Sequence, residues 1–157
     1  MANDTWATPA WLYRYAEYRF GVFDLDVCAS HDSYKCRPYF TIEDNSLIQP
    51  WALFNWCNPP YSNIRPWVEK AALEANIGNS TVMLLPADFS TQWFKLVWDL
   101  SSDILILNRR IQFIGAKGSP KFASFFCLIG PGVLVVDGPK VELVDMQTLS
   151  KFWGRSL

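Results

Sequence analysis

The chain has 157 residues, of which 50% are hydrophobic and 18% charged, which excludes a disordered or coiled-coil protein and predicts a single domain over residues 1–157. Lys and Arg number 14 against 15 Asp and Glu, so a formal net charge of −1 excludes a global basic field, and any nucleic-acid contact needs a local patch. No apolar run reaches about 18 residues, and the N-terminus lacks a signal-peptide pattern. We therefore expect a cytoplasmic protein without a membrane partner.

The N-terminal third predicts one helix and one strand. Thr8 can cap a helix whose first residue is Pro9, and Gly21 ends it. One face of this helix carries Trp11, Leu12, Tyr15 and Tyr18. Alternation over residues 22–27 predicts a strand, and residues 34–50 read as irregular with a turn at 44–46.

The middle of the chain alternates strand and helix. A short buried strand over residues 53–57 runs directly into residues 58–61, which read NPPY. A helix follows from Pro66 to about Gly78, then an apolar strand over residues 81–85 typical of a parallel sheet, then a helix capped by Ser90. This alternation predicts an α/β fold with a doubly wound parallel sheet and crossover helices.

The C-terminal part changes to consecutive strands. We expect strands over residues 104–107, 110–114 and 125–129, a hairpin formed by residues 133–136 and 141–144, and a last helix over residues 146–153. Consecutive strands predict an antiparallel edge at the C-terminal end of the sheet.

The cysteines do not form a metal or disulfide pattern. The four are irregularly spaced without a CxxC pair, and the chain has a single histidine, His31. These cysteines are Cys28, Cys36, Cys57 and Cys127. We expect free thiols in a reducing compartment and no metal.

The most specific signal is the NPPY segment, Asn58, Pro59, Pro60 and Tyr61, at the end of a buried strand. Open α/β sheets bind ligands at the carboxyl ends of their strands. Two prolines stiffen the loop and leave carbonyl acceptors, with an Asn oxygen and a Tyr ring beside them. A planar group bearing an NH₂ would find acceptors for its hydrogens and a ring to stack on. The alternative is an ordinary strand-to-helix turn.

The tetrapeptide resembles the catalytic motif of amino-methyltransferases that use S-adenosylmethionine. From about residue 5 to 130, the chain is similar to phage-type Dam-like DNA N6-adenine methyltransferases. The residues that carry the similarity are 6–9 (WATP), 23–30 (FDLDVCAS), Asp44, Leu47, Trp51, 57–62 (CNPPYS), Trp67, Lys70, 84–87 (LLPA), Thr91, 93–94 (WF), Arg110 and Phe113. The resemblance implies a Rossmann-like class I methyltransferase sheet.

The resemblance also implies catalytic roles for the NPPY residues. The Asn58 oxygen and the Pro59 carbonyl accept hydrogen bonds from the adenine amino group, whose lone pair is delocalised into the ring. They stabilise the positive charge that grows on nitrogen during methyl transfer. Pro60 completes the stiff loop. Tyr61 stacks on a base flipped out of the duplex.

The cofactor half departs from the usual pattern. Many such methyltransferases have a glycine-rich loop after the first strand, but here no glycine lies between Gly21 and Gly78. Cys28 and Ala29 stand in its place, so we expect an abbreviated cofactor half. The resemblance implies that Asp26 receives the cofactor's ammonium, although a turn or capping role is the alternative. The other residues implied to bind S-adenosylmethionine are Trp6, Thr8 and Pro9 at the methionine end, Asp44 at the ribose or adenine, and Asn58.

DNA is the partner that the resemblance implies. The candidate contacts are Lys35, Arg37, Arg110, Phe113 and Lys121, and a solvated charged rim is the alternative for each. A separate recognition domain does not fit this length, so we expect a short recognition sequence or a partner that supplies specificity. The resemblance also suggests a phage or prophage product that protects its genome in the manner of restriction–modification.

Two other functions stay open. Protein glutamine methyltransferases use the same motif on an amide NH₂, but they carry a glycine-rich loop and an N-terminal recognition domain that this sequence lacks. A non-catalytic nucleic-acid-binding module that has lost the cofactor fits the missing glycine loop, but the intact residues 58–61 argue against it.

Overall fold

A computed structural model of the chain describes residues 6–118, 121–132 and 138–153. Its helices are α1 (Ala10–Phe20), α2 (Arg65–Asn76), α3 (Gln92–Leu100) and α4 (Met146–Trp153). Its strands are β1 (Leu25–Asp26), β2 (Phe54–Cys57), β3 (Ser80–Pro86), β4 (Ser101–Leu107), β5 (Ser124–Ile129) and β6 (Lys140–Val144). Two short 3₁₀ helices, Ile42–Asp44 and Ser46–Ile48, lie between β1 and β2.

The six strands form one mixed sheet in the order β1-β2-β3-β5-β4-β6, which confirms the α/β class. Strands β1, β2 and β3 are parallel to one another, and β6 is parallel to β4. The antiparallel strand is β5, which lies inside the sheet between β3 and β4. The predicted antiparallel C-terminal edge is therefore wrong for the described residues. The physical reason is burial: β5 is almost entirely buried and needs a neighbour on each side, whereas β6 is mostly exposed.

The core has two halves, one on each face of the sheet. Alternate side chains of β3 serve both, because successive residues of a strand point to opposite faces. Val82 and Leu84 pack in the cluster that includes Leu12 of α1. Met83 and Leu85 pack in the cluster that includes residues of α2 and α3, such as Val68 and Val97. The helices on both faces leave the carboxyl ends of β1, β2 and β3 to hold a site.

The predicted strands over 53–57 and 81–85 and the helix beginning near Pro66 are confirmed. The strand predicted over 22–27 shrinks to β1, and Val22 is exposed. Helix α1 begins at Ala10, directly after Pro9, with no side-chain cap. Tyr18 is 69% exposed and does not share the buried face of α1, which carries Leu12, Tyr13, Tyr15 and Ala16.

The helix α3 begins at a different cap from the one predicted. Thr91 Oγ1 accepts a hydrogen bond from the Phe94 N–H at 3.2 Å, which satisfies one of the free donors of the first turn. The Ser90 hydroxyl donates to Asp88 Oδ1 instead.

The strand predicted over residues 110–114 is wrong. Only Ile114 pairs, in a single antiparallel bridge with Ala7. Ile111 and Phe113 are buried while their neighbours are exposed, so the alternation reflects an irregular segment lying on the core. Of the predicted hairpin, residues 133–136 lie outside the described residues, and β6 pairs in parallel with β4.

Each of the four cysteines is a free thiol, with Cys57 and Cys127 buried and Cys28 and Cys36 half-buried. Across the described ranges, no group of three or more His, Cys, Asp or Glu side chains could hold a metal ion. Within the same ranges, every helix is too short or too polar to cross a membrane.

Candidate active site

The carboxyl ends of β1 and β2 lie side by side and bring two groups of predicted residues together. The Val27 N–H donates to the Trp56 carbonyl at 3.0 Å, which continues the parallel pairing beyond β1. Cys28 and Asn58 therefore leave the sheet at the same edge. The segment expected to bind the cofactor and the NPPY loop are neighbours in the fold.

Asn58 contacts a residue from the start of the chain. Its Nδ2 donates to Thr8 Oγ1 at 3.1 Å, and Thr8 is only 1% exposed. Ala7 holds this N-terminal segment through two backbone bonds with Ile114, with N···O distances of 3.0 and 2.9 Å. Thr8 therefore lies beside Asn58, its hydroxyl accepts from Asn58 and does not cap α1, and its contact with a cofactor stays a prediction.

The proline pair shapes the loop after Asn58. Pro59 is buried and Pro60 half-buried, and neither can donate a backbone hydrogen bond. The Pro60 carbonyl accepts from the Asn63 N–H at 3.2 Å, which closes a turn. Among the described residues, none donates to the Pro59 carbonyl or to Asn58 Oδ1, so both acceptors of the loop lack a protein donor there.

Tyr61 is anchored to the neighbouring strand. Its hydroxyl donates to the Leu84 carbonyl of β3 at 3.2 Å. Burial raises the pKa of Tyr61 well above its usual range, so the phenol remains a donor at any working pH. The ring meets Phe113 and Phe122 edge to face, with centroids 6.1 and 5.6 Å away.

Four rings form an aromatic cluster beside Asn58: Trp6, Tyr61, Phe113 and Phe122. Trp6 stacks on Phe113 at 6.0 Å and on Phe122 at 6.3 Å between centroids. Trp6 was predicted to touch the cofactor and Phe113 to touch DNA, and both lie in this one cluster. Phe113 is 3% exposed and packs in the hydrophobic core, so its predicted contact with DNA stays a prediction.

Asp26 lies at the end of β1 and is 2% exposed. Its two carboxylate oxygens accept from the backbone N–H groups of Cys28, at 3.2 Å, and Lys35, at 2.9 Å. Loss of hydration raises its pKa from 3.8 to about 6, against the opposing effect of those two hydrogen bonds. The carboxylate therefore shapes the loop over residues 28–35, and its contact with a cofactor stays a prediction.

Asp44 and Arg37 share one open groove, although the sequence had assigned them to the cofactor and to DNA. The groove has a volume of about 590 Å³ and is lined by His31, Arg37, Pro38, Tyr39, Thr41 and Asp44. The Asp44 carboxylate accepts from Thr41 N–H at 2.7 Å and from Thr41 Oγ1 at 3.1 Å. Asp44 therefore both caps the 3₁₀ helix Ile42–Asp44 and lines the groove.

The loop between β1 and the groove carries stacked rings. Tyr34 and Tyr39 stack with centroids 4.4 Å apart and planes 5° apart. Arg37 lies 4.6 Å from the Tyr34 ring centroid and donates to its hydroxyl at 2.9 Å. Lys35 is half-buried, which lowers its pKa, with the Asp26 charge opposing the effect of burial. Arg110 and Lys121 are exposed.

Residues 1–129 match the family described as DNA N-6-adenine-methyltransferase (Dam). The chain belongs to this family. Over 116 residues it is 44% identical to the DNA N-6-adenine-methyltransferase of Haemophilus phage HP1 (strain HP1c1), covering 71% of this chain and 67% of that protein. Over 115 residues it is 38% identical to the DNA N-6-adenine-methyltransferase of Escherichia phage T1, covering 65% of this chain and 48% of that protein. No solved structure matches the chain.

The Dam family match contains the whole site. It includes β1 to β5, the NPPY loop and the aromatic cluster, and it ends before β6 and α4. Phe122, which the sequence suggested together with Phe113 as a ring that packs on bases, joins the cluster from a short polar loop. Sequence reasoning missed the Asn58–Thr8 hydrogen bond, which joins residues 50 positions apart and has no local sequence signal.

Proposed function

We propose that this Dam-family chain transfers a methyl group from S-adenosylmethionine to the N6 amino group of adenine in DNA, on a Rossmann-like class I methyltransferase sheet. One observation carries the proposal. Asn58 and Pro59 directly follow the carboxyl end of β2, and no described residue donates to Asn58 Oδ1 or to the Pro59 carbonyl. Membership of the Dam family and the names of both phage relatives support the same substrate.

The acceptor pair suits an amino group that is a poor nucleophile. Hydrogen bonds from both N6 hydrogens to Asn58 Oδ1 and Pro59 O draw that nitrogen toward tetrahedral geometry. The positive charge on nitrogen grows only as the methyl group is transferred, so the two oxygens stabilise the transition state more than the ground state. Fixed dipoles do this without reorganising during the reaction.

The adenine must leave the duplex to reach these acceptors, since a methyl donor cannot approach N6 inside the base stack. The aromatic cluster provides rings for an extruded base, and Tyr61 is the member closest in sequence to the acceptors. Its hydrogen bond to the Leu84 carbonyl holds the ring against β3. Stacking on such a ring is worth about 1–3 kcal/mol per base.

The residues around the groove fit S-adenosylmethionine. Small-molecule sites typically have volumes of about 300–1,000 Å³, and this groove lies in that range. When bound, S-adenosylmethionine supplies an electrophilic methyl group on a sulfonium. Asp44, which lines the groove, would accept from its ribose or adenine, and Asp26 would neutralise its ammonium, with the backbone of Cys28 and Ala29 alongside. Trp6 and Pro9 would close the methionine end.

The first experiment is transfer of a radiolabelled methyl group from S-adenosylmethionine to unmethylated DNA, followed by nucleoside analysis. We expect label in N6-methyladenine, and sequencing of the modified sites then gives the recognition sequence. Cofactor binding without label on DNA would refute the DNA substrate and direct the search to protein or RNA. Absence of cofactor binding would favour a non-catalytic binding module.

Replacement of Asn58 tests the chemistry. Asn58→Ala should lower kcat by roughly two to three orders of magnitude, as loss of one preorganised polar contact does elsewhere. Calorimetry should show nearly unchanged affinity for S-adenosylmethionine. Asn63→Ala is the matched control, because Asn63 is an exposed asparagine of the same loop. Near-normal turnover of Asn58→Ala would overturn the catalytic assignment.

A further inference from the structure

Trp51, Trp67 and Lys70 carry part of the family resemblance, but the proposed function gives them no role. Trp67 and Lys70 belong to α2, and Trp51 packs against both. The Trp51 ring is 5% exposed and stacks on Trp67 with centroids 6.4 Å apart, while Lys70 Nζ lies 5.6 Å from the Trp51 ring centroid. These contacts bury Trp51 against α2.

The backbone of Trp51 is also fixed to α2. Its N–H donates to Glu74 Oε1 at 3.2 Å, and Glu74 is 2% exposed. The same carboxylate accepts from Lys70 Nζ at 2.7 Å and from Asn79 Nδ2 at 2.8 Å. Hydrogen bonds to a buried carboxylate are strong because water does not compete for them. Trp51 is therefore a firmly held point of the core.

The indole of Trp51 extends from this point to Ser46. Its Nε1 donates to the Ser46 carbonyl and to Ser46 Oγ, both at 3.0 Å. An indole N–H can only donate, so the contact has a single direction. Of residues 41–50, all of which the structure describes, Ser46 alone is buried. The indole therefore holds the one buried residue of this segment.

This segment contributes one part of the groove wall. Thr41 and Asp44 line the groove from it, and the other lining residues lie between positions 31 and 39. Asp44 is two residues before Ser46, and its carboxylate accepts from the Thr41 N–H and hydroxyl. Its carbonyl accepts from Gln49 Nε2 at 2.8 Å. Because the turn is closed by its own hydrogen bonds, its place depends on what anchors it.

The turn has one anchor on each side. Before it, the Phe40 N–H donates to the Asp26 carbonyl at 2.9 Å and the Phe40 carbonyl accepts from the Ala29 N–H at 2.8 Å, which joins it to the end of β1. After it, the Trp51 indole holds Ser46. Exposed segments with few buried contacts open at little cost, so loss of either anchor should let the wall shift.

We propose that Trp51 is a positioning residue for the cofactor groove, whose indole N–H holds Ser46 and thereby sets the place of Asp44. The inference rests on the proposed function, because it assumes that Asp44 accepts from S-adenosylmethionine. Trp51 itself contacts neither cofactor nor DNA in this role. Its loss should therefore weaken cofactor binding and leave the methyl-transfer step unchanged.

Trp51→Phe removes the N–H donor and keeps an aromatic ring. We expect the Kd for S-adenosylmethionine to rise by about tenfold, the scale of one lost hydrogen bond, while kcat at saturating cofactor does not change. Calorimetry and steady-state kinetics measure the two. An unchanged Kd, or a lower kcat with the same Kd, would overturn the positioning role. If Trp51→Phe does not fold, as judged by thermal unfolding, Ser46→Ala removes one of the two acceptors and should raise the Kd in the same direction.

Trp67→Phe is the matched control. It makes the same chemical change in the ring that stacks on Trp51 and leaves the contact between Trp51 and Ser46 intact. The Kd for S-adenosylmethionine should stay as it is in the native chain. An equal rise in both variants would mean that loss of ring packing alone weakens binding, which would overturn the inference.

A double-mutant cycle separates the inference from the proposed function. If Trp51 acts through Asp44, Trp51→Phe should have no further effect on the Kd in the Asp44→Ala background. An equal rise in both backgrounds would overturn the positioning role. An unchanged Kd in Asp44→Ala alone would instead refute the cofactor site of the proposed function.

Hydrogen exchange tests the anchor without any cofactor. The Gln49 N–H donates to the Ser46 carbonyl at 3.2 Å, so its exchange reports whether this turn is held. We expect faster exchange at Gln49 in Trp51→Phe than in the native chain or in Trp67→Phe. Equal exchange in the three proteins would overturn the anchor, whatever the groove binds.

Discussion

Asp26 is a carboxylic acid that the fold keeps away from water. It is 2% exposed, and loss of hydration raises its pKa from 3.8 to about 6 even though two backbone N–H groups donate to it. Because the folded chain holds the proton more tightly than the unfolded chain, protonated Asp26 stabilises the fold. This contribution is complete below pH 3.8 and is lost as the pH rises through about 6.

The difference between the two pKa values corresponds to about 3 kcal/mol. We expect the unfolding free energy of the native chain, relative to that of Asp26→Asn, to fall by about this amount between about pH 4 and pH 7. Urea unfolding of both proteins across that range measures it. Parallel stability curves would show that Asp26 does not titrate in this way.

Individual site residues differ in how far the sequence could predict them. Asn58 to Tyr61 could be predicted because two consecutive prolines after a buried strand fix the local backbone. Thr8 precedes a helix and has the local pattern of a cap, but its hydroxyl bonds to Asn58, 50 positions away. A local pattern cannot report a contact that only the tertiary fold creates.

Among the helices, α2 and α3 carry the same type of ion pair in opposite settings. Lys70–Glu74 and Lys95–Asp99 are both spaced by four residues, but the first pair has side chains 14% and 3% exposed and the second 75% and 50%. Glu74 also accepts from Asn79 Nδ2 and from the Trp51 N–H. Burial alone would raise the pKa of Glu74, but the hydrogen bonds from Lys70, Asn79 and Trp51 outweigh burial and lower that pKa.

Removal of each lysine should therefore have very different effects. Lys70→Ala leaves a buried carboxylate without its cation and should lower the unfolding free energy by about 3 kcal/mol. Lys95→Ala, the matched control, should cost less than about 0.5 kcal/mol. Urea unfolding of both variants above neutral pH tests this. Equal losses of unfolding free energy would show that burial does not strengthen the Lys70–Glu74 ion pair.

At the scale of elements, the sequence predicts those whose signal is local. Helix α2 and strands β2 and β3 follow from apolar runs with Pro and Gly at their ends. Residues 110–114 have the alternation of a strand, but β5 occupies the place beside β4 and those residues lie against the core. The succession of late strands predicted antiparallel pairing, which β5 shows, but its place inside the sheet between β3 and β4 was missed, because an apolar run does not indicate which strands lie beside it.

For the whole molecule, a formal net charge of −1 limits its attraction to DNA. The predicted contacts provide four cations, at Lys35, Arg37, Arg110 and Lys121. Each phosphate contact contributes about −0.9 to the slope of log K against log salt. We expect a slope no steeper than about −3.6 for the native chain, and one shallower by about 0.9 for Arg37→Ala and for Lys121→Ala.

Fluorescence anisotropy of labelled DNA over a range of KCl concentrations measures these slopes. Lys140→Ala is the control, because Lys140 is exposed at the amino end of β6, the edge of the sheet opposite the site. Its slope should equal that of the native chain. A slope for Arg37→Ala or Lys121→Ala that matches this control would remove that residue from the DNA interface.

The reversed direction of β5 has a consequence for how this protein can vary. Ser124, the first residue of β5, pairs with Pro86, the last residue of β3. The connection from β4 to β5 therefore leaves and rejoins the sheet at the end where β3 and β4 have their carboxyl termini. That connection carries Phe113 and Phe122. Because both of its ends are anchored there, insertions and deletions in its exposed part would reshape the surface beside Tyr61 while β4 and β5 keep their register. If that surface meets DNA, as we propose, target choice can change without a change in the sheet.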